Sequence, residues 1–228
     1  ARQSARSISY GFSSQADIWA ENIVVGACHL SFSCRRQGRI LGDLALRLAG
    51  RHNALNALAV VALGLELGIA FDVIRAALAD FKGVERRCQV KREDKDWLVV
   101  DDYGHHPTEI AATIAAARAC NRTRVVTVFQ PHRYTRTKDL MEQFARCFAG
   151  CDQLIITDIY AASEPPLEGV SAIQMVDAVR RSTGQSVVYM PKDEIVAGLG
   201  AIAKPGDLIL FLGAGDITKT SDEFAKRI

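Results

Sequence analysis

No stretch of the 228-residue chain approaches the roughly 20 consecutive apolar residues that a bilayer-spanning helix requires, which excludes such a helix. The six cysteines, Cys28, Cys34, Cys88, Cys120, Cys147 and Cys151, form no CxxC pair and have no histidine partners at zinc-ligand spacing. A zinc site is therefore not expected, and reduced thiols in a cytoplasmic protein are. There is no block of basic residues, the arginines are not lined up with aromatics, and the formal charge is only +2. Nucleic acid is thus not an expected partner. Residues 1–6 carry charge, but no apolar core follows them as it would in a signal peptide. The chain also lacks an initiator methionine and enters strand-like sequence at residues 7–10, which suggests a fragment of a longer protein. There is no internal repeat. With 49% hydrophobic residues, the composition is that of a soluble globular protein, long enough for one large domain or two modest ones.

What is present changes character along the chain. Residues 7–50 hold short alternating stretches, 18–25, 28–33 and 44–48, separated by glycines; period two predicts small antiparallel strands or hairpins. Residues 51–81 switch to helical period. Leu55, Leu58, Ala59, Ala62 and Leu65 predict one helix face, ending near Gly68, and Val73, Ile74, Ala77, Leu78 and Phe81 a second, ending at Gly83. The charged tract 82–87 follows that stop, and the domain boundary is placed there. Beyond it, apolar strands at 97–101, 124–129, 153–157, 186–190 and 207–212 alternate with helices near 108–120, 136–149, 170–183, 193–203 and 216–227. This alternation predicts an α/β fold, a parallel sheet covered on both faces.

In such a sheet the strand-to-helix loops share one rim, where open α/β sheets bind their ligands. The loop after the first of these strands reads Asp101-Asp102-Tyr103-Gly104-His105-His106, with Pro107 suited to the first helical position. The two aspartates could hold a cation or a ribose, or merely favour a helix dipole; alternation along the strand lets only one of them face a given side. The next loop carries His132, Arg133 and Arg136, and arginines near the positive end of a helix suggest an anionic ligand rather than a solvated first turn. Two further rim loops hold Asp158-Ile159-Tyr160 and Gly213-Ala214-Gly215-Asp216, the second resembling half of a dinucleotide fingerprint. Before the boundary, Asn53 and Asn56 share a helix face and offer the donors and acceptors that adenine recognition needs, although Asn53 also reads as a plain N-cap.

Four stretches, Gly50-Arg51-His52-Asn53 with Asn56, 83–87, 101–109 and 129–137, together resemble the Mur ligase family, and the likeness covers essentially the whole chain. The resemblance implies that residues 1–86 are the last part of a central ATP-binding domain, with short antiparallel strands and helices, and that residues 87–228 are a carboxyl-terminal Rossmann-like domain. No GxxxxGK[ST] phosphate loop occurs; it and the glutamate and histidine that hold magnesium in the family are expected upstream of Ala1, so no metal ligand is assigned here. The implied activity is ATP-dependent joining of L-alanine to UDP-N-acetylmuramate through an acyl phosphate in peptidoglycan precursor synthesis, in the bacterial cytoplasm. The implied ligands are ATP, Mg2+, UDP-N-acetylmuramate and L-alanine. By the same resemblance Asn53 and Asn56 contact adenine, and Arg87 and Asp102 approach the ATP phosphates and ribose. Tyr103, His105 and His106 face the reacting carbonyl and amine, while His132, Arg133 and Arg136 bind the alanine carboxylate or a substrate phosphate. Two rivals are a relative that attaches a ready-made tripeptide, similar at residues 105–108 but not expected to share 129–137, and a phospho-receiver module with Asp158 as acceptor. Against the receiver, Pro191-Lys192 stands in reverse order and after the fourth strand.

Overall fold

The computed structural model describes residues 7–26, 29–48, 50–81 and 83–228; the readings placed on residues 1–6, Cys28 and Lys82 lie outside them. The chain divides into two compact units, Ala1–Gly83 and Val84–Ile228.

In the first unit, strands β1 (Tyr10–Gly11), β2 (Ile18–Val25), β3 (Leu30–Arg36) and β4 (Arg39–Leu46) form a sheet in chain order. β2, β3 and β4 are antiparallel, whereas the two-residue β1 runs parallel to β2. Strand alternation sets the buried face: Leu30, Phe32 and Cys34 point to the core while the serines between them do not. Helices α1 (Arg51–Glu66) and α2 (Phe71–Asp80) pack on that face. The buried stripe of α1 is Ala54, Ala57, Leu58, Val61 and Ala62, about one residue away from the expected one. An almost wholly apolar helix leaves its rotation to packing rather than to sequence periodicity. In α2 only Ile74 and Leu78 are buried, and the helix stops at Asp80; Val73 and Phe81, expected inside, are exposed. The outer side of α1 leaves Val60, Leu63 and Leu67 exposed.

The second unit is built on a six-stranded sheet of β5 (Gln89–Glu93), β6 (Leu98–Asp102), β7 (Arg124–Phe129), β8 (Gln153–Ile156), β9 (Val187–Tyr189) and β10 (Asp207–Leu212), in the order β5-β6-β10-β7-β8-β9. The last five strands are parallel, and β5 is an antiparallel edge with a bulge between Val90 and Arg92. Apolar-run reading misses β5 because Lys91 and Arg92 interrupt it, and edge strands tolerate charge. Helices α3 (Pro107–Arg118), α4 (Tyr134–Asp139), α5 (Met141–Phe144) and α6 (Ala172–Thr183) follow β6, β7 and β8, while α7 (Ile195–Ile202) and α8 (Ile217–Arg227) flank β10. The expected helix 136–149 is thus two short ones meeting at Leu140, whose φ is −111°. The break carries Phe144 and Phe148 onto Phe129. The expected helix 193–203 opens instead with a 3-10 turn at Lys192–Glu194.

Each sheet face buries its own core. Ile110, Ile114, Phe144, Phe148, Met175 and Val179 cover one, and Ile195, Leu199, Ile217 and Phe224 the other. Chain order therefore makes β10 a switch point: the loops leaving β6 and β7 turn to one face, and the loop leaving β10, between them, turns to the opposite face. A crevice opens outside the carboxyl ends of strands at such a point. Since Val84–Ile228 covers both faces of its sheet, this unit expressed alone is expected to unfold in one cooperative urea transition. Broad, probe-dependent unfolding of the isolated unit would contradict that independence.

Candidate functional site

The crevice at β6, β7 and β10 is lined by side chains that the strand ends hold in fixed places. Asp101 and Asp102 close β6 and face opposite layers: the Asp101 carboxylate accepts from Thr218 on α8 at 2.7 Å, and that of Asp102 from Thr113 on α3 at 3.4 Å. Asp102 also accepts from the backbone N–H groups of Gly104 at 2.7 Å and Cys88 at 2.8 Å, so its oxygens clamp the loop. A Cβ on Gly104 would lie 2.8 Å from that carboxylate, which explains the glycine. Asp101 is fully buried; burial raises its pKa against the opposing hydrogen bond from Thr218 and the charges of Arg86 and Lys91. Replacing Asp102 by Ala is expected to cost about 1–3 kcal/mol for each N–H left unpaired, read as a lower urea midpoint; an unchanged midpoint would refute the clamp.

After β6 the chain builds a helix cap from a histidine. The His106 ring accepts from Thr108 N–H at 3.3 Å, and the Glu109 carboxylate accepts from His106 N–H at 3.3 Å and His105 N–H at 3.2 Å. This is a reciprocal cap with Pro107 at the first helical position. The geometry gives His106 a structural role through Nδ1, and Nε2 takes no part in that cap. Burial would raise the Glu109 pKa, but the two N–H donors and the charges of His105 and Arg87 outweigh it and hold the group below the usual carboxylate value.

His105 is differently placed. Its Nδ1 lies 3.0 Å from the Tyr103 carbonyl and 3.6 Å from the Glu109 carboxylate. A carbonyl oxygen only accepts, so Nδ1 carries a proton and Nε2 is the unprotonated nitrogen of the neutral ring. The ring stands edge-on to Tyr103 at 5.2 Å and 6.0 Å from His132. Tyr103 in turn lies beneath the guanidinium groups of Arg86 and Arg87, at 5.0 and 5.5 Å. Arg87 also approaches Glu109 at 3.7 Å.

From β7 come His132 and Arg136. Arg133, with φ of 71°, caps α4, and that turn brings Arg136 Nη1 to 3.1 Å from His132 Nδ1. Guanidinium only donates, so His132 has Nδ1 as acceptor and its proton on Nε2. Burial first, then the charges of Arg136, His105 and Arg133, push its pKa below the ordinary histidine value, and Glu164 opposes them weakly. Arg133 itself is exposed.

Tyr103, His105, His132 and Arg136 thus meet at one rim. Asn53 and Asn56 belong to the first unit, where Asn56 Nδ2 donates to Asn53 Oδ1 at 3.1 Å. Asn53 is not the helix N-cap; Gly50 is, with φ of 92°. The Gly213–Gly215 turn offers no dinucleotide site, because the α8 amino end is already filled: Ile217 N–H donates to Gln130 Oε1 at 3.1 Å, and Asp216 accepts from Gln130 and Lys192. The receiver reading fails at Asp158, whose oxygens accept from Tyr189 Oη at 2.5 Å and Lys192 N–H at 3.0 Å. Sequence reasoning gave no role to Glu109 or to Arg86, which donates to the Gly213 carbonyl and accepts at its own carbonyl from Tyr103 N–H. Their signal was adjacency to the rim strings, which does not specify a partner. Among the described residues no three His, Cys, Asp or Glu side chains gather as a metal ligand set. No helix among them is long and apolar enough to cross a membrane.

Residues 86–215 match the family described as Mur ligase, glutamate ligase domain. The chain is 48% identical over 218 residues to UDP-N-acetylmuramate--L-alanine ligase of Anaeromyxobacter dehalogenans, covering 96% of this chain and 48% of that protein. It is 44% identical to the enzyme of the same name from Trichlorobacter lovleyi, covering 98% of this chain and 49% of that one. Among solved structures, UDP-N-acetylmuramate-alanine ligase of Thermotoga maritima aligns with a TM-score of 0.81 at 27% identity, over 97% of this chain and 47% of the other. A murein peptide ligase from Psychrobacter arcticus shares the fold, with a TM-score of 0.64 at 20% identity, over 96% of this chain and 45% of the other. The chain therefore spans about half the length of the relatives it matches. On the match through the rim-bearing unit and the identity along both units, the chain belongs to the Mur ligase family.

Proposed function

We propose that this chain is the carboxyl-terminal half of a bacterial cytoplasmic ligase that joins L-alanine to UDP-N-acetylmuramate with ATP and Mg2+, in peptidoglycan precursor synthesis. The observation that carries it is the 48% identity, over 96% of the chain, to a protein bearing that name. On this reading residues 1–86 complete an ATP-binding domain, with Asn53 and Asn56 toward adenine, and residues 87–228 supply the amino-acid site. The ATP phosphates and magnesium are held by a segment upstream, and Arg87 reaches toward the phosphates from this side.

The chemistry assigned to the rim rests on its hydrogen-bond geometry. ATP converts the muramoyl carboxylate into an acyl phosphate; the alanine nitrogen then forms a C–N bond at its carbonyl, and the carbon–oxygen bond to phosphate breaks with the electron pair leaving on phosphate. His105, with Nε2 unprotonated, takes the proton that the nitrogen sheds. Arg136 and Arg133 hold the alanine carboxylate, Arg136 with the part of its fork not bound to His132. His132 offers its Nε2 proton to an anionic oxygen, and Tyr103 lines the site. His106 and Asp102 shape the loop.

The test is a chimera in which this chain replaces the matching half of the Anaeromyxobacter dehalogenans relative. It should form UDP-N-acetylmuramoyl-L-alanine in an ATP-dependent manner, and the 228-residue chain alone should not. A folded chimera that ligates a preformed tripeptide and leaves L-alanine untouched would overturn the assignment.

A further inference from the structure

The Asp158-Ile159-Tyr160 loop beyond β8 has no place in that chemistry, yet Tyr160 touches the site from behind. Its ring stacks on the His132 imidazole, with centroids 5.6 Å apart and planes 15° from parallel. Its main chain grips both sides of the same histidine: Tyr160 N–H donates to the Pro131 carbonyl at 2.8 Å, and Arg133 N–H donates to the Tyr160 carbonyl at 2.8 Å. Together these make a parallel bridge between His132 and Tyr160, outside the strands proper. The second bond fixes Arg133 where its φ of 71° turns the chain into α4, and so sets Arg136. The β10 loop approaches the base of the same side chain: a Cβ on Gly215 would fall 2.6 Å from Tyr160 Cγ and 2.7 Å from its Cβ, besides meeting Gln130 Oε1.

We infer that Tyr160 is a positioning residue of the amino-acid site, its ring fixing the plane of His132 so that Nδ1 accepts from Arg136 and Nε2 presents its proton. This rests on the reading of the rim as the L-alanine site, although its first test does not. A stacked ring restricts the plane of His132, so that the Arg136 donor at 3.1 Å selects its tautomer, and it covers one face of the imidazole. Without the stack, the imidazole is free to rotate, Nδ1 loses its alignment with Arg136, and the guanidinium fork gains an orientation that does not serve a carboxylate. The charged and titratable groups around His132 are Arg136 on α4, Arg133 at its cap, His105 from the β6 loop and Glu164 from the β8 loop, and all stay in place in the variants below.

The experiment is nitrogen NMR on the 15N-histidine-labelled 228-residue chain, comparing the wild type with Tyr160→Ala, Tyr160→Leu and Tyr160→Phe. In the wild type His132 should show a protonated Nε2 and a bare Nδ1, titrating below the ordinary histidine range. In Tyr160→Ala its tautomers should mix and its titration should move up toward the ordinary value, and Tyr160→Phe, which keeps the flat ring, should restore the original spectrum. Tyr160→Leu keeps bulk without a stacking face and should follow Ala, which covers the case of an alanine variant that does not fold. In the chimeric ligase Tyr160→Ala should raise the KM for the amino substrate by roughly three- to tenfold, with that for ATP unmoved. An unaltered His132 tautomer and titration in folded Ala and Leu variants overturns the inference. A shift in His132 with no change in any amino-substrate KM leaves the stack standing and rejects the site's assignment instead.

Discussion

Replacing His105 by Gln in the chimeric ligase is expected to lower kcat by about 10²- to 10⁴-fold, the usual worth of a positioned acid–base group. Glutamine can donate and accept hydrogen bonds at a similar reach but cannot take up a proton. The KM for L-alanine should move far less than kcat, because the carboxylate is assigned to Arg136 and not to His105. The contrast with the next residue is the informative part. His106→Asn keeps a capping acceptor at the amino end of α3 and should leave kcat close to its starting value. Steady-state kinetics of both variants decide it: equal losses at both positions would show that the division between a proton acceptor and a helix cap, drawn from Nδ1 of His105 on the Tyr103 carbonyl and Nδ1 of His106 on Thr108 N–H, is wrong.

Arg136→Lys is expected to lower kcat/KM for L-alanine by about ten- to a hundredfold, equivalent to losing a charged hydrogen bond worth roughly 1.5–3 kcal/mol. The substitution keeps the charge and removes the planar fork, so it tests geometry. The structure adds a second reason for a large effect, since the same guanidinium donates to His132 Nδ1 at 3.1 Å. One ammonium cannot reproduce the fixed angle between the histidine and a substrate carboxylate. The ATP and UDP-N-acetylmuramate constants should change little; if either of those moves while the one for alanine stays, Arg136 serves a phosphate.

How much of this the sequence shows in advance depends on whether a signal is local. β7 and β10 run over the residues that their apolar runs predict, 124–129 and 207–212, because buried parallel strands are apolar throughout. β5 is hidden, since an edge strand carrying Lys91 and Arg92 looks like a loop. The rim position of Tyr103, His105, His132 and Arg136 is legible, because strand-to-helix loops of a parallel sheet share an edge. The work each one does is not. Two adjacent histidines read alike, yet one is a cap and one is not, and the difference lies in which backbone groups come within 3.3 Å. The stacking of Tyr160 on His132 joins loops after two different strands, a pairing that no local pattern encodes.

The most direct test of the rim as the amino-acid site is an L-alanine titration of the chimeric ligase, with only this chain's half carrying 15N-histidine. Saturating UDP-N-acetylmuramate and a non-hydrolysable ATP analogue hold the reaction before the acyl phosphate. The ring nitrogens of His105 and His132 should shift saturably with L-alanine while those of His106 stay still. Saturable shifts at His52 on α1, with His105 and His132 unmoved, would place the amino acid elsewhere and contradict the account.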